Sequence, residues 1–198
     1  MCALFFIACS SLPLFSPLTS QSPASSYWGI DASFQYGDAR ATIQPLTAGI
    51  LDSGTTLLYL TSDAYKTIQD TTGAVLDSHT GLLKVTKTQF ANMKSLYIVT
   101  AGVRRLHFRF RLFTTFPSQI TMELIPDALS VPPSSVNASS DDVYLIFGDL
   151  GKMSSTGLQF ILGYFVHQRF YISYDSENQR VGLAPTEYTS QRVNNPSG

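Results

Sequence analysis

Short stretches in which apolar and polar residues alternate recur along this chain of 198 residues. Residues 28–36 alternate in this way and end at Gly37-Asp38, a pair typical of a tight turn. Because successive side chains of a strand point to opposite faces, this pattern predicts a strand. Apolar runs bounded by turn residues predict further strands at residues 41–51, 57–60, 82–85, 96–100, 143–147 (ended by Gly148) and 160–163, and a hairpin of residues 170–175 with 180–184.

One segment has a helical pattern instead. Thr61 or Ser62 provides a candidate N-terminal cap, apolar residues follow at helical spacing to Ile68, and Gly73 is placed to end the helix. Many short strands with one or two short helices predict a mainly β fold. The chain is long enough for a single domain with a sizeable core.

The ends of the chain differ from its body. Residues 1–14 include a short apolar run with no basic residue before it, which is typical of either a weak signal-like segment or an arbitrary start. The run is too short to cross a bilayer. Residues 15–190 are predicted to form the domain, and the polar residues 191–198 are predicted to fray.

Composition excludes several kinds of function. The net charge is −1, so no overall field attracts nucleic acid or an anionic membrane. The two cysteines, Cys2 and Cys9, precede the domain, which therefore has no disulfide framework or thiol nucleophile. The three histidines, at positions 79, 107 and 167, are isolated and lack metal-ligand spacing. We expect no metal and no cofactor.

The strongest chemical signal is Asp52-Ser53-Gly54-Thr55-Thr56, directly after an apolar strand. A carboxylate at the end of a strand is presented on a rigid element. Gly54 allows a tight turn and offers its N–H to the carboxylate, and Thr55 offers its hydroxyl. Such donors orient the ionised carboxylate and stabilise it.

Five pieces of the sequence, in order, resemble the C-terminal half of pepsin-like aspartic proteases. Residues 50–58 resemble the second active-site motif of that family, and residues 28–31 resemble the strand before it. Residues 160–163 resemble the apolar-apolar-glycine element behind the catalytic loop. Residues 165–175 and 180–185 resemble the closing hairpin. The resemblance spans residues 15–190 and is closest to the polyporopepsin-like secreted proteases of fungi.

The resemblance implies a fold and residue roles. The fold is a single lobe of the pepsin-like double β-barrel, mainly β with one or two short helices. Asp52 would be one of two catalytic carboxylates, and the Ser53 hydroxyl would help lock the active-site loops of two lobes together. The other implied active-site support comprises Gly54 and Thr55 as donors to Asp52, Thr56 in the same loop, and Leu162 and Gly163 behind it.

The family mechanism needs two carboxylates that share one proton and activate a water molecule against a peptide carbonyl. The 198 residues hold one Asp-[Ser/Thr]-Gly motif, since Asp149-Leu-Gly lacks the hydroxyl residue and Asp31 matches the preceding strand. We therefore expect an aspartic endopeptidase present as its C-terminal lobe and inactive alone. The missing N-terminal lobe would supply the second aspartate.

Two alternatives stay open. The chain could form a homodimer that places two copies of Asp52 across a two-fold axis, as retroviral proteases do. It could also be a half-cleft that binds peptides without cleaving them. In an active form the substrate would be an extended peptide or protein, held between the lobes by backbone hydrogen bonds and apolar pockets. The resemblance implies no cofactor, an acidic pH optimum and an extracellular, secreted protein.

Asn137-Ala138-Ser139 is a candidate glycosylation site. Tyr164 stands where many family members have an acidic residue, a difference that bears on lobe packing. Residues 103–119 hold four of the eight arginines and four phenylalanines, and have no family counterpart that we identify. This segment could form a strand with a basic outer face. Alternatively it is an insertion, either a retained intron or a lineage-specific loop. Basic residues interleaved with aromatic ones can also bind single-stranded nucleic acid, but nothing else in the chain supports that function.

Overall fold

The structure is a computed structural model of the chain and describes residues 13–100, 119–132, 135–136 and 142–192. Residues 103–118 of the predicted insertion lie outside these ranges, as do both cysteines and Asn137. The predictions made for these residues stay predictions.

The described residues form a mainly β fold with three α-helices, which confirms the predicted fold class. The strands are β1 (Leu14–Pro17), β2 (Gly29–Tyr36), β3 (Ala41–Leu51), β4 (Leu58–Leu60), β5 (Val75–Leu76), β6 (Leu83–Thr86), β7 (Leu96–Thr100), β8 (Ile120–Leu124), β9 (Asp142–Tyr144), β10 (Phe147–Asp149), β11 (Ile161–Leu162), β12 (Phe170–Asp175) and β13 (Arg180–Pro185). The helices are α1 (Ser62–Thr72), α2 (Lys87–Ala91) and α3 (Tyr164–His167).

Seven of these strands form the central sheet, in the order β10-β4-β11-β3-β2-β7-β8. Two three-stranded sheets flank it, in the orders β1-β13-β12 and β5-β6-β9. The predicted closing hairpin is β12 with β13, and β1 pairs antiparallel with β13 from Leu14 opposite Leu183 to Pro17 opposite Arg180.

The arrangement that positions the site is the insertion of β11 between β3 and β4. β11 runs parallel to β3, with Leu162 opposite Leu51, and antiparallel to β4, with Leu162 opposite Leu58. Because β3 and β4 are joined by the loop that contains Asp52, this late strand closes the gap behind the loop.

Both faces of β3 are covered where the strand ends. Leu51 belongs to the main core, whose largest fully buried side chains include Phe34, Phe147 and Phe160. Ile50 belongs to a second apolar cluster with Ala24, Ala48, Leu150, Leu158 and Ile161. Each fully buried side chain of this size contributes about 2 kcal/mol. The strand end therefore has little freedom to move.

Helix α1 begins and ends at the residues that its sequence indicates. The Thr61 hydroxyl accepts a hydrogen bond from the Ala64 N–H, and Gly73 ends the helix with a φ of 70°. That left-handed conformation favours glycine. Neither α2 nor α3 was predicted, although Thr86 and Gln89 form a capping box at the start of α2.

The prediction of a single strand at residues 143–147 is wrong. The segment is divided between β9, which pairs with β6, and β10, which pairs parallel with β4. Gly148 lies inside β10 and does not end it. Residues 144–148 are all buried, so their apolar pattern carries no information about where the chain passes from one sheet to the other.

Candidate active site

Asp52 directly follows β3, and backbone hydrogen bonds hold it on the sheet. The Asp52 N–H donates to the Leu162 carbonyl over 3.0 Å, and the Leu51 N–H donates to the Trp28 carbonyl over 3.0 Å. β11 on one side and Trp28, the residue before β2, on the other thus fix the backbone up to the carboxylate. This leaves the orientation of the side chain to its own loop.

Both carboxylate oxygens of Asp52 accept hydrogen bonds from that loop. The Gly54 N–H donates to Oδ1 over 3.0 Å, and the Thr55 hydroxyl donates to Oδ2 over 2.6 Å. The Thr55 N–H also donates to the Asp52 carbonyl over 3.2 Å, which closes the turn. Gly54 and Thr55 are the donors that the motif indicated, and together they determine the plane of the half-buried carboxylate.

The other two residues of the motif face outward. Ser53 and Thr56 are exposed, and Ser53 is at the tip of the loop beside Asp52. The Thr56 carbonyl accepts the Phe165 N–H over 3.3 Å, and the Thr55 carbonyl accepts the Tyr164 N–H over 2.6 Å. The start of α3 therefore holds the far side of the loop.

Gly163 lies directly behind this loop, where a side chain has no room. An ideal Cβ atom there would lie 2.6 Å from the Thr55 carbonyl oxygen and 2.9 Å from the Thr56 carbonyl carbon. Its neighbour Leu162 is fully buried. Both residues predicted to support the loop from behind thus contact it or lie beside it in the core.

A second glycine contact fixes the strand on which Asp52 depends. An ideal Cβ on Gly49 of β3 would lie 2.3 Å from the ring of Phe160, which precedes β11. The Phe160 ring packs edge-on against Phe34 of β2, with centroids 5.1 Å apart. β2, β3 and the segment before β11 are therefore packed tightly together at Gly49, just before the strand reaches Asp52.

An open pocket of about 570 Å³ lies beside Asp52. Tyr27, Trp28 and Leu51 contribute apolar surface, and Ser25, Ser26 and Gln179 contribute polar groups. Such a mixture suits a peptide, which presents apolar side chains and backbone hydrogen-bonding groups. Tyr27 is 61% exposed, so much of the aromatic surface at the pocket is accessible.

An aromatic pair extends the site toward β12. The rings of Trp28 and Tyr174 have centroids 4.8 Å apart at a tilt of 50°. Burial is the main cause that raises the pKa of Tyr174, and the negative charge of Asp52 raises this pKa further. The Tyr174 hydroxyl lies 3.0 Å from Nε2 of His167, the last residue of α3. The sequence reading did not assign Tyr174 or His167 to the site.

The other aspartates considered from the sequence lie elsewhere. Asp31 accepts a hydrogen bond from the Thr19 hydroxyl over 2.8 Å. Asp149 accepts one from Ser62 over 2.7 Å, at the end of β4 opposite to the one that carries the Asp52 loop. Neither is placed by these contacts as a partner carboxylate for Asp52.

Within residues 13–100, 119–132, 135–136 and 142–192, no three acidic, histidine or cysteine side chains cluster as a metal site would require. In the same part of the chain, no helix has the length and apolar character needed to cross a bilayer.

Fold and site together define a β lobe that presents one oriented carboxylate on a strand-end loop. The family model of eukaryotic aspartyl proteases matches residues 11–186. The chain belongs to this family.

Two relatives make the likeness specific. The chain is 41% identical over 180 residues to polyporopepsin from Irpex lacteus, a match that covers 91% of this chain and 48% of the relative. The crystal structure of an aspartic proteinase from Irpex lacteus superposes with a TM-score of 0.82 at 39% identity, covering 97% of this chain and 52% of that one. The chain thus spans about half the length of the relatives it matches.

Proposed function

We propose that this chain supplies one half of an aspartic endopeptidase site, with Asp52 as one of its two catalytic carboxylates. The observation that carries the proposal is the pair of donors on Asp52, the Gly54 N–H and the Thr55 hydroxyl, which hold both oxygens in one plane. Pre-oriented catalytic groups need this kind of support. Membership of the aspartyl protease family favours the same role.

The second carboxylate has to come from outside these 198 residues, because their sequence has one Asp-[Ser/Thr]-Gly motif. Like charges a few ångströms apart cannot both ionise, so two facing aspartates share one proton. The ionised aspartate removes a proton from the water that attacks the peptide carbonyl, and the protonated aspartate polarises that carbonyl. Asp52 alone cannot perform both tasks, so we infer that the chain is inactive without a complementary lobe.

The pocket beside Asp52 favours an extended peptide as substrate. Tyr27 and Trp28 offer apolar surface to side chains, while Ser25, Ser26 and Gln179 offer groups that could bind a peptide backbone. The outward position of Ser53 leaves its hydroxyl accessible to a partner loop. The proposal includes secretion, which the sequence resemblance implies. It also includes glycosylation at Asn137, which a mass shift after glycosidase treatment would detect.

A complementation assay tests the proposal. The purified chain is assayed at pH 3–6 with a fluorogenic peptide, alone and mixed with the N-terminal half of the Irpex lacteus relative. We expect cleavage from the mixture and none from the chain alone. Asp52→Asn should lower the cleavage rate of the mixture by about a thousand-fold or more, since it removes a catalytic group. Asp63→Asn, at an exposed aspartate in the first turn of α1, is the matched control.

The assay also separates the alternatives. Cleavage by the chain alone, rising with the square of its concentration and coming from a dimer on sizing, would replace the proposal with a self-assembled pair of Asp52 residues. If the peptide binds the chain but no mixture cleaves it, the half-cleft that only binds peptides is correct. An Asp52→Asn chain that supports full cleavage would refute any catalytic role for this carboxylate.

A further inference from the structure

Both ring nitrogens of His167 are engaged, and the partners differ in chemistry. Nδ1 lies 2.9 Å from the Gly163 carbonyl oxygen, and Nε2 lies 3.0 Å from the Tyr174 hydroxyl. A carbonyl oxygen only accepts, so Nδ1 carries the hydrogen. In neutral imidazole Nε2 is then an acceptor, and the Tyr174 hydroxyl has to donate to it.

The Gly163 carbonyl is a fixed reference point for this ring. It also accepts the N–H groups of Val166 and His167, over 3.0 and 3.2 Å. Gly163 itself is wedged against the backbone of the Asp52 loop, with an ideal Cβ 2.6 Å from the Thr55 carbonyl oxygen. The orientation of His167 is therefore set by the same segment that supports the catalytic loop.

Tyr174 connects this ring to the site. Its ring packs at a tilt against Trp28, which lines the pocket with Asp52, and the residue is 40% exposed. The negative charge of Asp52 is one of the causes that raise the pKa of Tyr174, after burial. The phenol therefore keeps its proton through the acidic and neutral range and remains a hydrogen-bond donor.

We propose that His167 is a positioning residue that determines where Tyr174 directs its hydroxyl proton. When the imidazole is neutral, the hydroxyl donates to Nε2. When the imidazole takes up a proton from solvent at Nε2, that N–H donates to the phenolic oxygen, and the hydroxyl hydrogen turns away from the imidazole ring.

The neighbouring charged groups are occupied elsewhere. Asp175, next to Tyr174 in β12, is paired with Arg180 at 2.7 Å on the adjacent strand. Arg169, which follows α3, donates to the carbonyls of Tyr188 and Gln191. On α3 itself the other ionisable side chain is Tyr164, which is 49% exposed. From the end of β3, the negative charge of Asp52 acts on Tyr174 electrostatically.

For the reaction, the consequence is an extra donor in acid. Once the imidazole is protonated, the Tyr174 hydroxyl is released from Nε2 and can donate to another acceptor at the edge of the site, where its ring packs against Trp28. This consequence rests on the proposed function, whereas the coupling of His167 to Tyr174 does not. The two are therefore tested by different measurements.

Trp28 is the only tryptophan in the sequence, so intrinsic fluorescence reports directly on its contact with Tyr174. We would record Trp28 emission of the full chain from pH 4 to 8, together with the NMR signals of the histidine rings. The expected result is a step in emission whose midpoint coincides with that of the His167 ring. The step should be lost in His167→Gln, which cannot titrate, and in Tyr174→Phe, but retained in His79→Gln, a control in an exposed loop.

Persistence of the emission step in His167→Gln or Tyr174→Phe would overturn the proposal. Should His167→Gln fail to fold, the His167 midpoint decides: it should differ between wild type and Tyr174→Phe, and equal midpoints would contradict the coupling. A normal emission step from a chain that supports no cleavage with any lobe would reject the proposed function and leave the coupling intact. In an active mixture, His167→Gln should also flatten the dependence of kcat/KM on pH around the midpoint measured for the His167 ring.

Discussion

An ideal Cβ atom on Gly163 would lie 2.1 Å from the carbonyl oxygen of Leu57. Leu57 is the last residue of the Asp52 loop and Gly163 follows β11 directly behind it, and no side chain fits between them. The contact is made with backbone atoms, which cannot move aside as the end of a flexible side chain can. The glycine is thus a spacing requirement of the site.

Gly163→Ala should destabilise the chain by about 2–3 kcal/mol, the cost of forcing extra atoms into a packed region. Urea unfolding followed by circular dichroism measures the change. Gly81→Asn is the control, because nothing lies within 4 Å of an ideal Cβ there and asparagine tolerates its φ of 73°. If both variants unfold at the same urea concentration, Gly163 is not a spacing requirement.

Thr55→Val should lower kcat/KM of the complemented enzyme by about tenfold or more, equivalent to about 1.4 kcal/mol. The substitution keeps the shape of the side chain but removes the hydroxyl that donates to Oδ2 of Asp52 over 2.6 Å. Thr55→Ser retains the donor and should retain most activity. Steady-state kinetics at the optimum pH provides the measurement, and equal loss in both variants would show that the methyl group matters and the hydroxyl does not.

Gln44→Leu should destabilise the chain by about 2–3 kcal/mol. Gln44 is 2% exposed; its amide donates to Thr47 Oγ1 and the Gln159 carbonyl, both over 3.1 Å, and its Oε1 accepts from Thr61. Removing the amide takes a partner from half-buried groups of Thr47, Thr61 and Gln159. Because water can reach part of them, the total cost is about that of one or two buried unpaired groups, at about 1–3 kcal/mol each.

The control for this substitution is Gln35→Leu, on a half-buried position of β2. A change at such a position should stay within about 0.5 kcal/mol. Thermal or urea unfolding of the two variants under identical conditions makes the comparison. A Gln44→Leu chain as stable as Gln35→Leu would mean that water replaces the lost amide without cost.

Acid stability should depend on the contact between Tyr144 and Asp77. The Tyr144 hydroxyl, first, and then the His79 N–H lower the pKa of Asp77 below its ordinary value of 3.8. A carboxyl whose pKa is lower in the folded state stabilises that state fully above its ordinary pKa and loses this contribution as the pH falls through the lowered value. Asp175, whose pKa is lowered mainly by Arg180, behaves in the same way.

Tyr144→Phe should therefore reduce stability at pH 5 and flatten its decline between pH 4 and 2. Unfolding midpoints measured at several pH values test this. Tyr97→Phe removes a longer, exposed contact of 3.3 Å to Glu123 and serves as the control. An unchanged pH profile in Tyr144→Phe would show that the hydroxyl does not account for the acid sensitivity attributed to Asp77.

Local signals explain what could be predicted from the sequence. The donors on Asp52 lie two and three residues after it, and the cap of α1 lies directly before that helix, so neighbouring residues suffice to indicate them. The strand boundaries of β3 and β7 were predicted correctly for the same reason. Strand boundaries are indicated by the alternation of neighbouring residues and by turn residues next to the strand.

The rest depends on partners distant in the chain. Tyr174 looks like any outward residue of a hairpin strand until α3 places the His167 ring 3.0 Å from its hydroxyl. The passage of residues 144–147 from one sheet to another depends on pairing with Lys84 on one side and Leu58 on the other. A continuous apolar run is compatible with either partner, so periodicity alone cannot separate them.

The insertion of β11 between β3 and β4 also has a consequence for biosynthesis. The Gln44 amide that bonds to the Gln159 carbonyl spans 115 residues, and the Leu162 carbonyl that holds Asp52 lies just beyond. Contacts this distant in sequence form late, because a long loop must close first. As the chain emerges from the ribosome, the loop that carries Asp52 emerges before residues 160–163. Until those residues emerge, Asp52 lacks the hydrogen bond to the Leu162 carbonyl that holds it on the sheet.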